Sequence, residues 1–169
     1  MPSSTTNRSI PGILFVAAGA FALARFAAIA SSLDVDVTLR FLGPLVLAAA
    51  LITLAVVETR NPTVKAGLAA AAIGWVVFGV AVLLPEVAAT LGLIAELVVI
   101  IAMIVVAIVV WRAGEYTRNA RIALVINAVV TTVYLLSAFL GFYGSLAALI
   151  LVIFAVSTAS VGYYLVTRR

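Results

Sequence analysis

Arg25 and Glu96 are the two charged residues that fall well inside apolar stretches of this 169-residue chain. An ionised side chain near the centre of a bilayer costs between ~2.5 and more than ~10 kcal/mol, so it rarely occurs without a partner or a role. Arg25 lies about six residues, roughly 9 Å of helix rise, before the first stretch ends at Ser31. Glu96 lies roughly 9–14 Å into the fourth stretch if that stretch enters near Val87–Thr90. Opposite charges at similar depth predict an ion pair that clamps the first and second thirds of the chain together. A pair lining a path for ions or protons is the second reading. The third is independence, with Arg25 reaching outward along its stem and Glu96 neutral. Glu96 is the residue that could carry or sense protons, yet no second carboxyl lies inside a stretch to relay them.

A second constellation is uncharged. Asn127, Thr131 and Tyr134 share one helix face at spacings of four and three, with Thr132 and Ser137 nearby and Ser157, Thr158 and Ser160 in the next stretch. Hydrogen bonding between helices is the plain expectation, at well under ~2 kcal/mol per bond. A polar translocation path is the alternative. The absence of cysteine and histidine excludes disulfides, thiolate chemistry, imidazole acid–base work and the usual zinc, haem or iron–sulfur ligation. No paired carboxylates occur within the stretches, and no Gly-x-Ser-x-Gly, His-Glu-x-x-His or phosphate-cradling glycine loop occurs at all. We therefore expect no enzyme: no catalytic residues, no cofactor and no bound metal.

The elements that must carry these residues are membrane helices. Apolar residues make up 66% of the chain and charged ones only 9%, where a soluble chain is about a quarter charged. The stretches run Ile10–Ser31, Phe41–Val57, Ala66–Leu84, Val87–Trp111, Ile122–Leu140 and Ser145–Leu165, each close to the ~20 residues that cross ~30 Å of hydrocarbon. Eight of the ten cations (Arg8, Arg60, Lys65, Arg112, Arg118, Arg121, Arg168 and Arg169) fall at every second gap or end, and the alternate gaps carry only Arg40. The positive-inside bias then predicts an all-α, polytopic membrane protein of six transmembrane helices, arranged as three antiparallel hairpins with both termini cytoplasmic. Localisation follows as multi-pass in the cell membrane. The first stretch with Ala28-Ile29-Ala30 loosely mimics a cleaved signal, but Arg25 interrupts it and its length suffices to span.

A net charge of +4 does not read as nucleic-acid binding, because the cations are spread over helix ends where anionic headgroups lie. The expected partners are the lipid bilayer and a second copy of the chain or a larger membrane complex, with no nucleic acid. The link Trp111–Arg121 is the longest polar stretch and the natural surface for a soluble partner. Arginine dominance with abundant alanine and valine suggests a GC-rich prokaryotic genome.

The chain is read as one membrane domain, 1–169, with hairpin units near 8–60, 61–118 and 119–169. Thr59-Arg60, Thr117-Arg118 and Thr167-Arg168 end successive units at intervals of 58 and 50 residues, which argues for internal repetition. The turns opposite are short: Leu33–Arg40 with Asp34 and Asp36, then Pro85-Glu86, then Gly141–Gly144. Small residues recur every three or four positions at Ala20, Ala24 and Ala28 and at Gly67, Ala70, Ala71 and Gly74, which permits close helix packing.

In the second unit Gly67, Gly74-Trp75, Gly79, Leu83-Leu84-Pro85 and an apolar helix from Gly92 to a terminal Arg resemble the two-helix repeat of HdeD-like membrane proteins. The first unit keeps Gly12 and Gly19 but has no proline at its turn, and the third lacks the tryptophan and the proline. The resemblance implies six spans in three repeats, in a small inner-membrane protein associated with acid or stress tolerance, and supplies no catalytic residue. The expected function is thus a non-catalytic integral membrane protein, structural, accessory or stress-associated. The alternative is a channel or transporter for a small solute, ion or proton that uses Arg25 and Glu96.

Overall fold

A computed structural model describes residues 9–31, 36–57, 61–114, 116–140 and 145–167. Six helices account for nearly all of them: α1 Ser9–Ala30, α2 Asp36–Val57, α3 Pro62–Ala81, α4 Ala88–Ala113, α5 Arg118–Phe139 and α6 Ser145–Val166. Each is long and apolar enough to cross a membrane, so the chain is an all-helical, multi-pass membrane protein. No strand occurs among the described residues. Asp34, the Gly141–Gly144 turn, and the basic marks at Arg8, Arg60 and Arg168 lie outside the described residues.

The apolar stretches locate the helices but not all their ends. Helix α2 begins at Asp36 and α5 at Arg118, four or five residues before the apolar runs do. A helix crossing hydrocarbon can continue into the headgroup layer, where its first turn is polar. Helix α3 starts earlier too, at Pro62, because Asn61 caps it: the Asn61 Oδ1 accepts from the backbone N–H of Thr63 at 3.0 Å and of Val64 at 3.2 Å. Proline at the first helical position loses only an N–H that had no helical partner. Beyond Ala81 the chain tightens into consecutive turns, with Leu83 N bonding Val80 O at 2.9 Å and Leu84 N bonding Ala81 O at 3.1 Å. Helix α4 stops where Gly114 takes φ 67°, a left-handed conformation that glycine adopts without a Cβ clash.

The helices form a closed ring. Each packs on its two sequence neighbours, and α6 packs back on α1. Links of four residues (58–61) to six (82–87) reach at most ~20 Å, which cannot return along a helix of ~30 Å, so consecutive helices are antiparallel. Helices α1, α3 and α5 therefore finish at one end of the ring, here the turn end, where α2, α4 and α6 begin. Lys65, Arg112, Arg118 and Arg121 sit toward the opposite end.

Two seams are close enough for backbone to touch backbone. On α1, a Cβ at Gly12 would meet the Gly162 carbonyl at 2.9 Å, and one at Gly19 the Ala155 carbonyl at 2.7 Å. A Cβ at Gly162 would overlap the Gly12 carbonyl. On α3, Gly67 faces Val106 and Ala102 of α4, and Gly74 faces Val99 and Ala95. Both helices carry their glycines seven residues apart, which is two turns on one face. The spacing is the same on α1 and α3, but the partner is not: α1 uses it against α6, and α3 against the helix that follows it. The ring interior is filled by Phe15, Leu51, Leu54, Leu68, Val106, Val110, Leu135 and Val161, all nearly inaccessible, so helices meet by packing where lipid offers no hydrophobic drive.

Candidate functional site

The interior of the ring becomes polar and aromatic toward the turn end. Phe15, Ala18, Ala22 and Arg25 follow each other at spacings of three and four on α1, so Arg25 continues the face that α1 buries in the ring. Its guanidinium Nη1 donates to the Tyr134 hydroxyl on α5 at 2.9 Å. The Tyr134 ring stacks on Phe154 of α6, with centroids 4.6 Å apart and planes at 15°. Phe154 in turn lies 5.9 Å from Trp75 of α3, and Trp75 meets Phe78 edge-on at 5.6 Å. A chain of side chains thus runs from α1 through α5 and α6 to α3. Helices α3 and α6 are not neighbours in the ring, so the Trp75–Phe154 contact crosses its axis. Each such ring pair contributes about 0.5–1.5 kcal/mol beyond its buried area.

Above this brace lies a small recess of about 30 Å³, lined by Arg25, Phe21, Gly43, Pro44, Leu47 and Tyr134 among others. That is room for one or two waters. A larger recess of about 530 Å³ opens beside it, lined by Arg40 of α2, by Phe78, Ala81, Val82 and Pro85 on and after α3, and by Gly92, Leu93 and Glu96 of α4. Phe78 lines both, so one ring separates them.

The structure does not bring Arg25 and Glu96 together. Their helices, α1 and α4, stand opposite each other in the ring and do not pack on each other. Arg25 turns to Tyr134, and Glu96 shares the larger recess with Arg40. Similar depth in the membrane fixes height along a helix and leaves direction around the ring open. The uncharged face is brought together. Asn127, 3% exposed, donates through Nδ2 to Thr158 Oγ1 at 3.0 Å and Ser157 Oγ at 3.2 Å on α6. Ser157 Oγ donates its own hydrogen bond to the Phe154 carbonyl at 2.9 Å. Thr131 is buried beside them, and Ser137 Oγ donates to the Tyr134 carbonyl at 2.7 Å. The two Asn127 bonds tie α5 to α6, while the Ser137 and Ser157 hydroxyls are satisfied within their own helices.

Two groups escaped the sequence reading. Of Trp75, Phe78 and Phe154, the sequence marks only Trp75, through the Gly74-Trp75 of the repeat pattern; Phe78 and Phe154 are apolar residues in apolar helices and carry no signal of their own. Arg40, which the sequence places in a turn before an apolar run starting at Phe41, stands on the first turns of α2. Among the described residues no group of three or more Asp or Glu side chains is placed to hold a metal ion. Compared with family models, curated proteins and solved structures, the chain matches none.

Proposed function

We propose that this protein is a non-catalytic integral membrane protein whose ring acts as a closed bundle, in a structural or accessory role. The observation that carries the reading is the Tyr134–Phe154–Trp75 brace across the axis, backed toward the other end by close-packed aliphatic side chains. A single chain in this form offers ions no wetted route from end to end. The polar residues of α5 and α6 support the same reading, since Asn127, Ser157 and Thr158 bond to each other rather than to a path. Placement in a prokaryotic inner membrane, with the turn end outside, rests on the distribution of cations. Association with acid or stress tolerance rests on the resemblance of the second unit to HdeD-like repeats.

A second reading keeps one specific observation: the charged recess at the turn end. In it the protein is a transporter caught closed toward the other end, with the brace as its barrier. Proton and ion flux into proteoliposomes separates the two. The closed bundle predicts no flux above protein-free vesicles from acidic to neutral pH, for the wild type and for Glu96→Gln alike. Flux in the wild type that Glu96→Gln abolishes would overturn it in favour of transport.

A further inference from the structure

The larger recess at the turn end holds one cationic and one anionic side chain, and their heights can be worked out from the packing of α3. Gly79 faces Phe41, Pro44 and Leu45 of α2, so it lies level with residues near 43. Gly74 faces Ala95 and Val99 of α4, and Gly67 faces Ala102 and Val106. Carrying that antiparallel register five residues further puts Gly79 level with Gly92. Arg40 then stands three residues nearer the turn end than this level, and Glu96 four residues deeper. The two backbones are separated along the membrane normal by seven residues of rise, on the order of 10 Å. Phe78 belongs to the level between them, and Glu96 is level with Trp75 of the brace. Of these three lining residues, Arg40 thus stands nearest the mouth, Phe78 follows, and Glu96 stands deepest.

We propose that this recess binds a small ω-amino acid: a zwitterion that enters ammonium first, with a short methylene chain between its ammonium and its acid group. The Glu96 carboxylate receives the ammonium, the face of Phe78 and the Ala81, Val82 and Leu93 side chains cover the methylenes, and Arg40 holds the acid group at the mouth. The recess, at about 530 Å³, falls within the size of small-molecule sites. Gly92 keeps it open, for a Cβ there would find nothing within 4 Å. The order of charges decides against a phosphoethanolamine lipid as the occupant. A headgroup sliding in from the leaflet carries its phosphate on the acyl side and its amine toward water, which would set phosphate against Glu96.

The test is calorimetric titration of the purified full chain in detergent with 6-aminohexanoate, and with hexylammonium and hexanoate as single-charge controls. The expected result is saturable binding of 6-aminohexanoate, at least about ten-fold tighter than either control, since each charged contact contributes enough for such a factor. Glu96→Gln weakens 6-aminohexanoate and hexylammonium by about ten-fold or more and leaves hexanoate unchanged. Gly92→Leu fills the recess and removes binding, while the elution profile and unfolding temperature show the bundle intact. Absence of saturable binding to a monodisperse wild type overturns the proposal. So does wild-type affinity in Gly92→Leu, or a calorimetric signal from short-chain phosphatidylethanolamine micelles in place of 6-aminohexanoate. Binding without flux sits with the closed bundle; binding with flux overturns that reading and leaves this one standing.

Discussion

Helices α1 and α5 each precede an antiparallel neighbour in the ring, and they are held there by different means. Helix α1 meets α6 through Gly12, Gly19 and Gly162, backbone against backbone. Helix α5 has no glycine, and a groove runs along each side of it. One of about 320 Å³ lies between Ile104, Ala107 and Ile108 of α4 and Ala128, Val129, Thr132 and Val133. Another of about 460 Å³ lies between Ile122, Ile126 and Val130 and the Val152, Val156 and Ser160 side of α6. At its start the Arg121 Nε is buried with no hydrogen-bond partner. What keeps α5 in register is the Asn127 bonds to Ser157 and Thr158 and the Tyr134 contacts to Arg25 and Phe154. Dispersion between close backbones is cheap to make and has no tolerance for volume. Polar bonds tolerate looseness but vanish with a single atom.

Substitutions can break or sharpen this contrast. The largest effect is expected from Gly162→Leu, which drives a side chain into the Gly12 carbonyl and Val16. Overpacking normally costs ~1–3 kcal/mol, and with backbone on the far side we expect at least ~3 kcal/mol, read as loss of monodisperse protein on size exclusion. Gly19→Ala adds one methyl against the Ala155 carbonyl and Ala159 Cβ and should lower stability by ~1–3 kcal/mol in a denaturant titration in micelles. A wild-type midpoint for Gly19→Ala would mean that the α1–α6 seam is softer than its geometry. Asn127→Ala should cost about 1 kcal/mol by the same titration, in the range of polar contacts between membrane helices. It should also raise amide exchange in α5 more than in α1. Tyr134→Phe keeps the stack on Phe154 and loses only the Arg25 bond, so about 0.5 kcal/mol is expected. Smallest of all, Val129→Leu enlarges an exposed groove residue and should stay within ~0.5 kcal/mol of the wild type. A large loss there would show that the α4–α5 groove is packed by something it cannot share.

The number and places of the helices were legible in the sequence because hydrocarbon imposes one strong requirement, a run of apolar residues. The face made by Asn127, Thr131 and Tyr134 was legible too, since polar atoms in such a helix must turn to one another. Ring closure was not. In a soluble bundle, polarity distinguishes outside from inside, but here Ile13 is 60% exposed and Phe15 is 1% exposed on the same helix. Both are apolar, so hydropathy carries no direction around the axis. Arg25 and Glu96 stand on helices that do not pack together for that reason: depth can be counted along the chain, and direction cannot. The brace from Trp75 to Phe154 was hidden likewise, because it joins two helices that are not neighbours in the ring.

The α1–α6 seam also has a history in time. Gly12 and Gly162 are 150 positions apart, and at roughly 5–20 residues per second of synthesis the first helix waits on the order of ten to thirty seconds for its partner. During that interval its glycine groove is presented to lipid and to any passing helix with a small-residue face. A ribosome that stalls before α6 leaves a five-helix fragment with that groove uncovered at one edge.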